Sequence, residues 1–284
     1  MHTCTNVQCI YVLGGADNFI SGQLSLAAFK KHLKVFGEQM FEHKQMVFHH
    51  LLRPIEQAVS NLLFSTGEPL LLIGRDKEQE CILNKAIEQN NSFLAAQIFI
   101  FGCVEAYIYG DYELAVNFAQ KRHETGFDVP FYGMTDFFDC LSFLAMAHQS
   151  GDQKWILSAN KSISNIDNFA KICPSNCEHK LLLLQAEMKS IMGEVEEASS
   201  KYELAISAAE RNEFIHEQAI ANERAAEFSL RNGDSSRAAH HYGEAQSLFL
   251  RWGAQRKVDD LLMSIALKWG AQRKVDDLLM SIAL

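Results

Sequence analysis

Cysteine and histidine side chains lie close together in one stretch of the sequence, where their spacing suits metal binding. Cys173, Cys177 and His179 supply three donors in the pattern C-x₃-C-x-H. A structural zinc site uses four ligands in a tetrahedral arrangement, often including a C-x₂-C pair. No fourth ligand stands nearby, and Pro174 is typical of a boundary between two helices. We therefore interpret this stretch as a helix boundary and predict no metal site there.

The remaining cysteines favour a different explanation. The Cys4 and Cys9 pair is a weaker metal candidate, because it offers only two donors. Cys81, Cys103 and Cys140 lie inside apolar helical patterns. In a reducing compartment a free cysteine behaves as a small buried hydrophobic residue. We predict that these three side chains are buried.

A histidine next to a glutamate at His216-Glu217 suggests a zinc protease at first sight. The H-E-x-x-H motif is incomplete, however, because position 220 is Ile220. Alanines around this segment make a slim helix that favours close packing, so we interpret it as a helix–helix contact. The polar residues that we expect to form a network between neighbouring helix pairs are Asn222, Glu223 and Arg224.

Two pairs of adjacent histidines, His49-His50 and His240-His241, are also candidate ligands. Neighbouring residues on a helix point about 100° apart, so they rarely bind the same metal ion. We expect these histidines to be surface or half-buried residues, and we assign no catalytic, cofactor or metal-binding residue to the chain.

Aromatic residues cluster around a predicted turn at Pro130. They are suited to line a peptide-binding groove, but core packing at the start of a helix explains them more simply. The members of the cluster are Phe127, Phe131, Tyr132, Phe137 and Phe138.

One short pattern recurs along the chain: an apolar helix end, a glycine, an acidic residue and a second helix. Its copies are spaced 41, 42 and 40 residues apart. Glycine takes the left-handed conformation that ends a helix, and the acidic residue suits the positive end of the next helix dipole. The four copies begin at Gly110-Asp111, Gly151-Asp152, Gly193-Glu194 and Gly233-Asp234, and three of them continue with an alanine and an aromatic residue, at Ala115 and Phe118, Ala198 and Tyr202, and Ala238 and Tyr242.

This period predicts an all-α fold, a tetratricopeptide-like α-solenoid of stacked helix pairs. Residues 1–20 are predicted to be irregular, 21–267 to form the tetratricopeptide-like helical repeat domain and 268–284 to be a duplicated C-terminal helix segment. Pro54 should start or kink a helix, and Ser175 or Asn176 should cap another. The predicted helices are 23–42, 44–64, 77–90, 92–109, 111–124, 131–150, 152–172, 175–192, 194–212, 214–232, 234–251 and 254–267.

The C-terminal end contains a direct duplication. Trp252–Leu267 reads WGAQRKVDDLLMSIAL, and Trp269–Leu284 repeats all 16 residues without a change. The second copy should either extend the preceding helix or hang off its end. Its apolar stripe, which has no assured place to pack, consists of Val275, Leu278, Leu279 and Ile282.

Composition excludes two broad classes of protein. A formal net charge of -9 disfavours a nucleic-acid-binding protein, because neutralising phosphates needs a basic face. No apolar run approaches the roughly 20 residues of a membrane-spanning helix, and the N-terminus lacks a secretory leader pattern. We therefore expect a cytoplasmic protein with no membrane insertion and no cofactor.

The segment Phe214–Val258, FIHEQAIANERAAEFSLRNGDSSRAAHHYGEAQSLFLRWGAQRKV, carries a family resemblance. It resembles the tetratricopeptide-like repeat region of large multidomain signalling proteins, which also contain a serine/threonine-kinase-like domain, a STAND-type ATPase, a GAF domain and a sensor histidine kinase or cyclase. Leu51–Leu63, Ala106–Ala119 and Phe131–Ala145 resemble earlier helices of that region. The resemblance covers roughly Ser21 to Leu262.

The catalytic motifs of that family are not found in this chain. No Gly-Lys pair occurs, so the phosphate-binding loop of the ATPase is missing, and neither H-R-D nor D-F-G is present. The resemblance implies a non-enzymatic interaction and regulatory module whose partner is a protein or peptide, including kinase or ATPase signalling domains. One alternative is a fragment of a larger signalling ATPase, kinase or cyclase. Another, suggested by the C-terminal duplication, is a non-functional gene remnant.

Overall fold

The structure is a computed structural model that describes residues 22–63, 77–126 and 133–282. Within these ranges the chain forms twelve α-helices and no strand, which confirms the predicted all-helical fold. The predicted irregular segment 1–20 lies outside the described residues. The helices are α1 Leu26–Glu42, α2 Met46–Leu63, α3 Lys77–Glu88, α4 Ser92–Ile108, α5 Tyr112–Glu124, α6 Met134–Ser150, α7 Gln153–Ile172, α8 Pro174–Met192, α9 Val195–Arg211, α10 Ile215–Arg231, α11 Ser235–Trp252 and α12 Gln255–Ile282.

Two prolines correct the predicted helix ends. Pro54 lies inside α2, so the alternative in which the helix starts at Pro54 is wrong. Pro174 is the first residue of α8 and Cys173 is its N-cap, so the predicted caps at Ser175 and Asn176 are wrong. Proline suits the first helical position, because its fixed φ is helical and its missing N–H has no acceptor to lose.

One turn joins most of the consecutive helices. In each case a backbone N–H two or three residues beyond the helix bonds to a carbonyl five residues earlier, as from Asp111 to Ala106 (2.9 Å). The residue before that donor has a positive φ, which is +77° at Gly110. The same bond is donated by Gln45, Asn91, Asp111, Glu194, Phe214, Asp234 and Ala254.

The spacing of this turn reveals a shorter period than the sequence pattern did. Between Glu194 and Ala254 the donors recur every 20 residues, so each helix, and not only each helix pair, ends in the same way. Sequence analysis missed the copies at Lys44, Asn90 and Glu213 because these residues take the positive φ without glycine. Left-handed conformations cost little at Asn and more at other residues.

The helices pack in two layers. The helices α1 and α2 are neighbours, consecutive helices from α3 onward are neighbours, and the even-numbered helices α2, α4, α6, α8 and α10 also contact one another in order. These inner helices are the more buried ones: α4 is buried at every position from Leu94 to Ile108, whereas α7 buries only Ala159, Ser162 and Ile166. The inner layer therefore carries packing on several sides, and the outer helices carry one apolar stripe.

The row of helices closes on itself. The last helix, α12, contacts α2 near the start of the row. Lys257 of α12 donates a hydrogen bond to the Ile108 carbonyl at the end of α4 (2.7 Å). No helix in the described part of the chain is long and apolar enough to cross a lipid bilayer.

Small residues allow the two layers to approach. The repeat alanines Ala115, Ala198 and Ala238 have no exposed surface, and the aromatic residues that follow them are buried. These positions therefore lie where two helices meet. A larger side chain at any of them would force the layers apart.

Candidate functional site

The structure separates the three donors of the predicted metal candidate. Cys173 ends α7 and contacts the Ser175 hydroxyl, whereas His179 points to α10. Among the described residues, no group of three cysteine, histidine or acidic side chains is arranged to hold a metal ion. Cys4 and Cys9 lie outside the described residues.

Two sequence candidates instead meet in one buried cluster between α8 and α10. His179 and Lys180 both contact the Glu217 carboxylate, and the Lys180 Nζ–Glu217 Oε2 distance is 2.7 Å. His216 lies 3.7 Å from the same carboxylate through its Nε2 atom. A buried carboxylate requires such partners, because an unpaired charge in the interior is costly. The cluster therefore fixes the register of α8 against α10.

Burial and neighbouring charges set the ionisation of this cluster. Burial opposes ionisation of Glu217, but the Lys180 ammonium and the His179 ring lower its pKa to about 2. Burial also lowers the pKa of His216 to about 4, with a contribution from Lys180. At neutral pH the carboxylate is thus charged and the His216 ring is neutral.

A second buried pair lies two helical turns further along the same two helices. Arg224 of α10 donates from Nε to Glu187 Oε1 (2.9 Å) and from Nη2 to Glu187 Oε2 (3.4 Å). Glu187 also accepts from the Tyr202 hydroxyl (2.8 Å) and contacts His148 Nε2 (3.1 Å). Burial opposes ionisation of Glu187, but Arg224 holds the pKa of this carboxyl well below its usual range.

This pair lies beside a polar, partly open cavity of about 460 Å³ that is lined by residues of α4, α5, α6, α10 and α12. Lys257 donates to Glu223 (2.8 Å) there, and Lys268 donates to Glu227 (2.7 Å). Arg224 also donates to the Tyr112 hydroxyl (3.1 Å). The cations lining the cavity thus contact carboxylates, and the cavity is electrostatically compensated from within.

These contacts confirm the predicted polar network around α10. Arg224 bonds to α8, and Glu223 bonds to Lys257 of α12. Asn222 Oδ1 lies 3.1 Å from His241 Nδ1 on α11. The network therefore joins α10 to three other helices, α8, α11 and α12.

A different surface carries more basic than acidic side chains in its described lining. A groove of about 690 Å³ runs between α1 and α2 and reaches Ile82 of α3. Its described lining contains four basic residues, Lys30, Lys31, Lys34 and Arg53, against two acidic ones, Glu38 and Glu56. The chain as a whole carries a net charge of -9, so the groove is a basic surface on an acidic protein.

The groove residues follow from the helical period of α1 and α2. Lys30, Lys34 and Phe41 recur at steps that place them along one side of α1. Phe41, beyond the groove lining near the end of α1, is 63% exposed, and its ring lies 6.3 Å from that of the groove residue His49. Gly37 is buried between the two helices, where an added Cβ would lie 3.4 Å from Glu56 Oε1. Sequence analysis did not identify this groove, although three lysines on one side of a helix were a visible signal.

The remaining sequence candidates have structural positions. The His216 ring stacks on Trp252 at 4.9 Å, which confirms a helix–helix contact. Among the paired histidines His49 is half-buried and His50 and His240 are exposed, but His241 is buried. Phe137 and Phe138 are buried core residues, and the other members of the aromatic cluster lie outside the described residues.

One cysteine prediction is wrong. Cys103 and Cys140 are buried as predicted, whereas Cys81 is exposed on α3. The apolar neighbours of Cys81 form only a narrow stripe, in which Ala86 is buried and Ile82 and Leu83 are half-buried. A one-sided helix places some small residues toward solvent, and Cys81 is one of them.

Comparison with known proteins gives no relative. The chain matches no protein-family model, no curated protein and no solved structure. The site must therefore be interpreted from its own geometry.

Proposed function

We propose that the chain is a tetratricopeptide-like α-solenoid that acts as a non-catalytic interaction module of a cytoplasmic signal-transduction assembly. In this proposal the basic groove between α1 and α2 binds an acidic segment of a partner protein. The single observation that carries the proposal is the excess of basic side chains in a groove that also has apolar lining. The family resemblance of the sequence supports the signalling context.

The architecture supports the solenoid part of the proposal. The same turn recurs at helix ends, and the alternate helices form an inner layer. In solenoid proteins each helix pair buries its apolar face only against its neighbours, which leaves long grooves on the surface. Such grooves bind peptides and helices by combining apolar contact with a few fixed polar groups.

The groove lining supports an acidic occupant. Lys31 and Lys34 are exposed, and Lys34 pairs with Glu38 at 3.8 Å in a solvent-exposed ion pair. Exposed pairs of this kind contribute little, so the lysines can exchange their partner at small cost. Ala27, Leu63 and Ile82 offer apolar surface along the same groove. An amphipathic segment with acidic and apolar residues matches both features.

The proposal is tested by capture with matched charge variants. The wild-type chain, a groove variant K31E/K34E and a control variant K161E/R251E are tagged and expressed in the cells of origin, and co-purifying proteins are quantified. The control changes the same number of charges, at exposed positions on the outer helices α7 and α11. Each variant therefore has the same net charge.

The expected result is a partner that the wild type and the control recover and that K31E/K34E loses. Cross-linking should place an acidic segment of that partner beside α1. A partner that all three chains recover equally would contradict the assignment of the groove. A partner recovered only by the basic wild-type chain and lost by both variants would indicate non-specific attraction by charge.

A further inference from the structure

The duplicated segment adopts two backbone conformations within one chain. In the first copy Trp252 ends α11, Gly253 turns the chain with φ +94°, and α12 begins at Gln255. In the second copy the corresponding residues 269–271 continue α12 as helix. Identical residues thus form a turn in one place and a helix in the other. Because the residues of the two copies are identical, their intrinsic backbone preferences are the same. The turn at Gly253 must therefore be stabilised by the contacts that the first copy makes with other helices.

The docking surface of the first copy consists of apolar contacts with both ends of the row. The Trp252 side chain is 1% exposed and its ring stacks on His216 of α10. Gly253 lies against α1, where an added Cβ would be 3.7 Å from the Leu26 Cβ. Further along the segment Val258 and Leu261 are buried.

Lys257 adds a polar anchor to this surface. Its ammonium group is buried and donates to the Ile108 carbonyl (2.7 Å) and to the Glu223 carboxylate (2.8 Å). Every residue of this anchoring set recurs 17 positions later, as Trp269, Gly270, Lys274, Val275 and Leu278. The second copy therefore contains all the groups that the docking surface recognises.

We propose that residues 269–284 can replace residues 252–267 on this docking surface, in the same register and within the same chain. In the exchanged state, residues 252–268 form a loop between α11 and the docked second copy. The contacts that residues 252–267 make on the docking surface are available to residues 269–284, because the two segments are identical. The exposed contact of Lys268 with Glu227 is lost in the exchanged state.

The difference between the two states is then mainly the cost of the loop. Closing a flexible loop of n residues reduces the number of chain conformations by roughly the 3/2 power of n. For a loop of 17 residues this factor is about 70. The exchanged state is thus a minor state of the wild type, and it becomes the major state when the first copy is damaged by more than this factor.

The exchange is tested by removing the anchors of one copy at a time in the full chain. The variants are W252A/L261A, the matched W269A/L278A and the combination of all four substitutions, compared by urea unfolding. Truncating two large buried side chains should raise the unfolding equilibrium constant by on the order of 10⁴-fold, which is a loss of stability. With W252A/L261A alone this loss of stability should stop near 70-fold, because the second copy docks instead.

W269A/L278A should leave the unfolding constant within about threefold of the wild type, since the first copy stays docked. The four-substitution variant should show the full loss. Equal losses for W252A/L261A and the four-substitution variant would overturn the proposal.

A second measurement decides the question even where the most damaged variant does not fold. The variant W155F/W252A/L261A has Trp269 as its single tryptophan. Docking predicts that acrylamide quenches Trp269 fluorescence only weakly, as expected for a side chain buried like Trp252. Strong quenching would overturn the proposal. Protection that appears only at high concentration, together with a dimer in gel filtration, would also overturn it, because the second copy would then dock on another molecule.

Discussion

Two regions of the molecule collect cations, and they differ in what surrounds the charge. At the cavity, Arg224 and Lys257 are buried and each contacts a carboxylate. In the groove, Lys31 and Lys34 are exposed, and the basic lining residues outnumber the acidic ones. A buried charge is tolerated only when paired, whereas exposed like charges cost little and attract opposite charge. The comparison supports a structural role for the cavity and a binding role for the groove.

The largest effect is expected from breaking the buried pair of the cavity. R224M leaves Glu187 charged and buried, so the free energy of unfolding should fall by about 3–5 kcal/mol. The matched change R237M breaks a pair with Glu203 whose side chains are 41% and 50% exposed, and it should cost less than about 1 kcal/mol. Urea unfolding of both variants measures the difference.

A double variant sharpens this test. R224M/E187M replaces both charges by apolar groups, so it should recover much of the loss caused by R224M. Equal small losses for R224M and R237M would contradict the structural role of the buried pair.

Acid should destabilise the buried cluster of Glu217, His179, Lys180 and His216 and so lower the free energy of unfolding. Glu217 has a folded pKa of about 2, below its ordinary value of 4.5, so its stabilising contribution is present above about pH 4.5 and is lost as the pH falls toward 2. His216, with a folded pKa of about 4 against 6.5, loses its contribution between about pH 6.5 and 4. Stability should therefore fall in two steps on acidification.

The variant E217Q checks the lower step. It should be less stable at neutral pH, where Lys180 loses its charged partner, and its stability should depend less on pH below 4.5. Unfolding curves from pH 7 to pH 2.5 make the measurement. An unchanged slope below pH 4.5 would contradict the assignment of that step to Glu217.

A smaller effect is expected at the turn that borders the cavity. Gly110 has φ +77°, and an added Cβ would meet nothing within 4 Å. G110A should therefore cost about 1–2 kcal/mol through backbone conformation alone. Thermal unfolding tests this, and a loss as large as that of R224M would mean that the glycine has a packing role as well.

The smallest effect on stability is expected in the groove. K31E/K34E changes two exposed side chains, so the free energy of unfolding should stay within about 0.5 kcal/mol of the wild type. Circular dichroism during urea unfolding provides the measurement. A loss of several kcal/mol would show that the lysines hold α1 in place and would remove the distinction between the two regions.

The sequence predicted the helices and turns better than the sites. The turn glycines and buried alanines were identified because their roles are local, and helix ends agreed to within a few residues except where α12 runs on through the duplication. The contact of His179 with Glu217 joins positions 38 residues apart, and the contact of Lys257 with Ile108 joins positions 149 apart. Such contacts depend on how the row of helices curves, which no local pattern specifies.

The groove was missed for a related reason. Its basic residues come from α1 and from Arg53 of α2. They form a shared binding surface only because a groove lies between these two helices. A lysine on a helix surface is ordinarily a solvated residue. Only the arrangement of the helices shows that several of them share a groove.

The most direct test of the account is the affinity of the captured acidic segment for the wild type, K31E/K34E and K161E/R251E, measured by isothermal titration at two salt concentrations. The account predicts that K31E/K34E binds at least tenfold more weakly with an unchanged melting temperature, that K161E/R251E binds like the wild type, and that salt weakens wild-type binding. Equal affinity of all three chains would contradict the proposed role of the groove.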